Sequence, residues 1–103
     1  MQISEILSQS KDIHQWIVDK RRTIHRNPEL MYEEFETSRL VQNTLKELDI
    51  PFEKDIAITG VVGLIGNGGD PCVALRADMD ALPIQEEADV DFRSEIDGKM
   101  HAC

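Results

Sequence analysis

The sequence predicts an α/β fold in which two amphipathic helices precede a sheet of about three strands. Three observations carry this prediction. Apolar residues recur at spacings of three, four and seven through the first half. Short β-rich runs begin at Phe52. Gly, Asn and Pro punctuate those runs.

The first helix places Ile3, Ile6, Leu7, Ile13, Trp16, Ile17 and Ile24 on one stripe. It is expected to end near Arg26, because Pro28 crowds Asn27 out of the helical region. A second helix runs from about Glu33 to Leu48, with Val41, Leu45 and Leu48 on one face, and Asp49-Ile50-Pro51 closes it. Three strands follow, "FEKDIAI", "GVVGLIG" and "CVALRA". The first break is Thr59-Gly60. The second, Asn67-Gly68-Gly69-Asp70-Pro71, reads as a hairpin, since Asn and Gly tolerate positive φ. The runs "VVGLI" and "CVAL" are nearly continuous rather than alternating, which fits strands covered on both faces of an α/β sandwich. The remaining 26 residues, Asp78 to Cys103, are acid-rich and show no periodicity. A stretch that long and irregular in a compact domain is usually functional or belongs to something larger.

At 103 residues the chain has room for one small domain or part of a larger one, and only a modest, mainly aliphatic core. The net charge of −9 argues against nucleic acid and acidic membrane surfaces, which demand clustered Lys and Arg. The one basic cluster, Lys20-Arg21-Arg22 with His25 and Arg26, reads as a solvated or salt-bridged helix face. No apolar span of membrane-crossing length and no basic-then-apolar leader is visible, so the default expectation is a cytoplasmic protein. Two cysteines build no disulfide framework, and Cys72 in "CVAL" is expected to be a buried free thiol.

Asp78 and Asp80 directly follow the last predicted strand, and ligands of open α/β sheets sit at the carboxyl ends of strands. Two readings stand for this "DMD": carboxylates that serve a cation or its ligands, or a solvated turn. His101 and Cys103 form a His-x-Cys pair, and thiolate with imidazole suits Zn²⁺ and its first-row neighbours. The pair alone is a weak signal, because no four-coordinate site is completed within these residues. His14 and His25 lie on the first helix, where surface or packing roles are expected. The chain holds no G-x-S-x-G and no P-loop, and the glycines of "GNGGD" lie between strands rather than at a strand-to-helix turn. Cys103 has only His101 near it in sequence, which pairs poorly as the base of a nucleophile.

Taken together, "RRTIHRNPELMYEEFETS" (Arg21–Ser38), "ITGVVGLIG" (Ile58–Gly66), "VALRADMDALPIQE" (Val73–Glu86) and "GKMHAC" (Gly98–Cys103) resemble successive signatures of the M20 family of metal-dependent amidohydrolases. The nearest branch by this resemblance holds hippurate hydrolases, N-acyl-amino-acid deacetylases and the plant hydrolases of indole-3-acetic acid (auxin) conjugates. The resemblance implies that residues 1–103 are the N-terminal part of an αβα metallopeptidase-like catalytic domain. It implies two divalent ions per complete site, Zn or Mn, and hydrolysis of the amide bond of small N-acyl amino acids. Cys103 is then a metal ligand, and Asp80 orients the ligands from behind. Asp78 occupies a position where other branches place a His ligand, and His101 is a support.

In the family a Gly-His-Asp follows the Cys. A Glu pair, further His ligands and a lid domain that often dimerises come later, and none of these is present here. The expectation is therefore a fragment, a truncated gene model or a degenerate copy, with no general base of its own and weak metal binding. A second expectation, from a different class, is a non-catalytic module that binds metal or associates with a full-length relative. Plant members of the branch imply the ER lumen as the alternative location.

Overall fold

A computed structural model describes all of residues 1–103. The elements in chain order are α1 (Ile3–Asp12), α2 (His14–Arg26), α3 (Phe35–Glu47), β1 (Phe52–Ile56) and β2 (Gly60–Gly63).

The first predicted helix is present but divided at Ile13, whose ψ of 2° leaves the helical range before the chain resumes with Ile17 N–H donating to the Ile13 carbonyl at 3.0 Å. Its apolar stripe explains the break. Neither α1 nor α2 contains a buried residue, and Ile3, Ile6 and Leu7 lie exposed, so no packing holds the two pieces on a single axis. The stop at Asn27-Pro28 is where the sequence puts it, and Pro28 is fully buried.

Helix α3 covers most of the predicted span of about 33–48. Its entry is capped from a distance. The Glu29 carboxylate accepts from the Thr37 N–H at 2.6 Å, the Glu36 N–H at 3.0 Å and the Thr37 hydroxyl at 2.6 Å. A negative charge on otherwise unpaired N–H groups at a helix start is stabilising, by about 0.5–2 kcal/mol for a typical cap. The exit uses Asp49 at φ 55°, which lets the Ile50 N–H return to the Leu45 carbonyl at 2.9 Å.

Strands β1 and β2 form an antiparallel hairpin with Phe52 opposite Gly63, Glu53 opposite Val62 and Ile56 opposite Gly60, interrupted by a register shift between Glu53 and Ile56. One glycine is needed here for space, and a second marks a close approach. A Cβ on Gly60 would stand 2.4 Å from the Ile56 carbonyl oxygen. One on Gly63 would press on Leu45 at 3.4 Å, which shows how closely α3 lies on β2.

The sheet has two strands, not about three. "CVALRA" runs without a ladder partner, and Val73 and Leu75 are 85% and 99% exposed. The reason is physical: a continuous apolar strand is stabilised by neighbours on its edges and layers on both faces, and here one helix covers one small hairpin. The Asn67–Pro71 turn exists, with the Asn67 side chain accepting from the Gly69 N–H at 2.9 Å, but it does not join two strands. For the same reason Cys72, expected to be buried, is an exposed free thiol. The class remains α/β with the helices leading.

Buried residues are few and mostly polar. Ala81 and Pro28 are accompanied by Glu34, Thr37, Ser38, Thr59 and Glu86. Hydrogen bonds therefore organise the interior as much as aliphatic packing does. The irregular segment after Asp78 is anchored by three backbone connections. The Ala81 N–H donates to the Glu29 carbonyl at 2.8 Å and the Glu95 N–H to the Arg26 carbonyl at 2.9 Å. Leu82 and Met100 exchange both of their N–H···O bonds, at 2.9 and 3.0 Å.

Candidate active-site groove

Those anchors decide where the chemistry-bearing residues sit. Asp80 directly precedes the Ala81 clamp, and His101 and Cys103 directly follow the Leu82–Met100 bridge. The sequence distance of more than twenty residues is thus folded into one short span of wall. Asp78, Asp80, His101 and Cys103 all line a single open groove of about 1240 Å³. Helix α2 contributes Arg21, Ile24 and His25 to the same groove, and the entry of α3 contributes Glu34.

His101 is half-buried, and its Nε2 has no hydrogen-bond partner. Burial pushes its pKa below the ordinary histidine value, the nearby His25 adds to this, and Asp80, Asp78 and Glu29 oppose it. The neutral ring is therefore favoured, and a neutral imidazole has one nitrogen lone pair to offer. Glu34, a buried carboxylate on the same groove, likewise has Oε1 without a partner.

Two features were not visible as site elements in the sequence. The first is Glu86, only 3% exposed, whose carboxylate oxygens lie 3.0 and 2.9 Å from His25 Nε2 and whose Oε1 also accepts from the Ser94 N–H at 2.9 Å. Its pKa is held below the usual glutamate value, first by the His25 hydrogen bond, with burial opposing and Ser94 assisting. The second is the basic cluster, which is salt-bridged through His25 and whose arginines also pack on an aromatic ring. The Arg22 guanidinium lies 4.4 Å over the Phe92 ring and Arg21 lies 5.9 Å from it, while Arg22 Nε is buried without a partner. The Phe92 ring in turn meets His25 edge-on at 5.7 Å. His25, expected in a surface or packing role, packs and also carries this ion pair. No local pattern marks a Glu86–His25 pairing across 61 residues; the only trace is that both residues fall inside quoted motifs.

As a metal centre the groove is incomplete. Cys103 is an exposed free thiol, and no three His, Cys, Asp or Glu side chains converge as a ligand set. The donor types suit a divalent ion of the zinc kind, but their number and convergence do not. These residues alone do not fit a bound metal, and no chemical step is assigned through one.

Residues 74–103 match the family model for peptidase family M20/M25/M40. The chain is 53% identical over 97 residues to IAA-amino acid hydrolase ILR1-like 5 of Arabidopsis thaliana, covering 94% of this chain and 22% of that relative. It is 50% identical over 103 residues to thermostable carboxypeptidase 2 of Saccharolobus solfataricus, covering 98% of this chain and 26% of that relative. Among solved structures it is similar to the Bacillus subtilis YXEP protein, a dinuclear metal binding peptidase from the M20 family. That likeness has a TM-score of 0.82 and 41% identity, and spans 90% of this chain and 26% of that one. The chain thus spans about a quarter of the length of the relatives it matches. No helix in it is long and apolar enough to cross a membrane.

Proposed function

We propose, on the premise that this chain belongs to peptidase family M20/M25/M40, that it forms one wall of the active site of a metal-dependent hydrolase. The reaction is cleavage of the amide bond of small N-acyl amino acids, of the kind carried by auxin conjugates. The observation that supports this most is that Asp78, Asp80, His101 and Cys103 line one groove, brought to the same wall by the Ala81 and Leu82–Met100 anchors. In this reading residues 1–103 are the N-terminal part of the catalytic domain. Cys103 is a ligand to a divalent ion, Zn or Mn. Asp80 is the carboxylate that orients ligands, a role that fixes tautomer and basicity in metal sites generally. Asp78 and His101 support the same wall.

What these residues do by themselves follows from the geometry. His101 presents a ring nitrogen without a partner, Asp78 and Asp80 present carboxylates, and apolar residues such as Ile24 and Val41 line the groove beside them. No three His, Cys, Asp or Glu side chains of the chain converge as a set that would hold the metal. The isolated chain, purified and supplied with Zn²⁺ or Mn²⁺, is therefore expected to hydrolyse no N-acyl amino acid above background. A metal-dependent rate from residues 1–103 alone would overturn this division of labour.

A second reading, a non-catalytic module that associates with a longer relative, draws on one observation: the exposed, ladder-free "CVAL" stretch. Unpaired extended backbone with apolar side chains is a ready template for another strand. Size-exclusion chromatography separates the two, since a strictly monomeric chain that captures no relative is incompatible with the second reading.

A further inference from the structure

We propose that Glu86 and His25 are positioning residues for the groove, a buried pair that locks the segment carrying Asp80, His101 and Cys103 onto helix α2. This rests on the reading of those three as site residues.

An ionised carboxylate only accepts hydrogen bonds, so the contacts of 3.0 and 2.9 Å from His25 Nε2 to Glu86 Oε1 and Oε2 place the His25 proton on Nε2. With its tautomer set and its ring held against Phe92, His25 has one orientation. His101 lies next along the same row, its ring centroid 6.4 Å from that of His25 at a tilt of 40°. A contact series therefore leads from Arg22 through Phe92 and His25 to His101, and Glu86 pins its middle member.

The other side of Glu86 faces the loop. Its Oε1 accepts from the Ser94 N–H, and the Ser94 hydroxyl lies 2.7 Å from the Lys99 carbonyl and 3.0 Å from that of Ile96. Lys99 is the residue before Met100, which makes the bridge to Leu82. Next to Glu86 in sequence, the Gln85 side chain accepts from the Gly98 N–H at 2.7 Å. One buried carboxylate thus joins α2 to the turn that delivers His101 and Cys103. The backbone bond from the Glu95 N–H to the Arg26 carbonyl joins the same helix to the same loop, and Glu86–His25 is the side-chain counterpart of that tie; the one other ion pair, Glu36 with Arg39, is exposed and lies within α3.

Of the two ion pairs this is the long-range one, with the Glu86 carboxylate almost completely buried and His25 partly so. A buried carboxylate that loses its partner leaves an uncompensated charge, so the arrangement is retained only where the whole network is satisfied. Here it is: both oxygens have partners. The satisfied network gives the loop a single position without a strand or helix of its own.

Amide hydrogen exchange on the full chain tests this without any reliance on hydrolysis, so its failure is separable from failure of the functional reading. In His25→Ala, exchange at Leu82, Ser94 and Met100 is expected to accelerate on the order of tenfold or more, with α3 and the β1–β2 amides unchanged. His25→Gln, whose amide can donate to the same carboxylate, is expected to restore most of the protection. Glu86→Ala is expected to reproduce the His25→Ala pattern. Unchanged protection at Leu82 and Met100 in both alanine variants would overturn the proposal. So would acceleration spread evenly over α3 and the hairpin, with no recovery in His25→Gln.

Discussion

Glu86 makes a residue-scale statement about pH. Its carboxyl is held below the usual glutamate value in the folded chain, chiefly by the His25 hydrogen bond. A group whose folded pKa is depressed stabilises the fold fully above its unfolded value, near the ordinary 4.5, and loses that contribution as pH falls through the folded value. Urea midpoints measured between neutral pH and strong acid are expected to be flat at first and then to fall below the ordinary glutamate range. Glu86→Gln should start lower at neutral pH and descend less steeply, so that the two curves converge in acid. Parallel acid limbs would show that Glu86 is not the coupled group. The same residue marks the limit of sequence reading. Cys103 and Asp80 stand out as candidates in the sequence because a thiol is a metal-ligand type and Asp80 follows an apolar run. Glu86 was one more acid in an acidic loop, and its partner is 61 positions away.

At the scale of elements, the parts governed by local rules came out as the sequence implied. The helix stop at Pro28 and the span of α3 each depend on neighbours within a few residues, whereas the hairpin expected at Asn67–Pro71 forms instead between β1 and β2, across the Thr59-Gly60 break. The third strand failed because a strand is a property of its partners: the "CVAL" run has the composition of an interior strand and nothing beside it. The helix break at Ile13 has the same origin, an apolar stripe without a surface to cover it. A direct expectation follows for Val73 and Leu75. Because both side chains are almost wholly exposed, Val73→Lys with Leu75→Lys should change folding stability by less than about 0.5 kcal/mol, as ordinary surface changes do. The double variant should also reduce concentration-dependent self-association, since edge lysines disfavour strand addition. A large loss of stability by denaturant titration would mean that these residues are packed in solution.

For the whole molecule, the same quarter-length match recurs in the plant hydrolase, the archaeal carboxypeptidase and the solved dinuclear metal peptidase. The similarity to the family was legible because several separated motifs occur in order. The groove's architecture was not, since the Ala81 clamp and the Leu82–Met100 bridge are backbone contacts that side-chain patterns do not encode. The central claim is that Asp80, His101 and Cys103 are placed by this chain for use in a larger metal-dependent site. The most direct measurement is a graft, in which residues 1–103 replace the matching segment of thermostable carboxypeptidase 2, with which they share 50% identity. The graft is assayed on N-acyl amino acids with and without added Zn²⁺ or Mn²⁺. A folded graft is expected to hydrolyse substrate only with metal, and Cys103→Ala or Asp80→Asn within it to lower metal affinity or activity by about 10–100-fold or more. A folded graft that is inactive with metal, or one indifferent to both substitutions, would contradict the account.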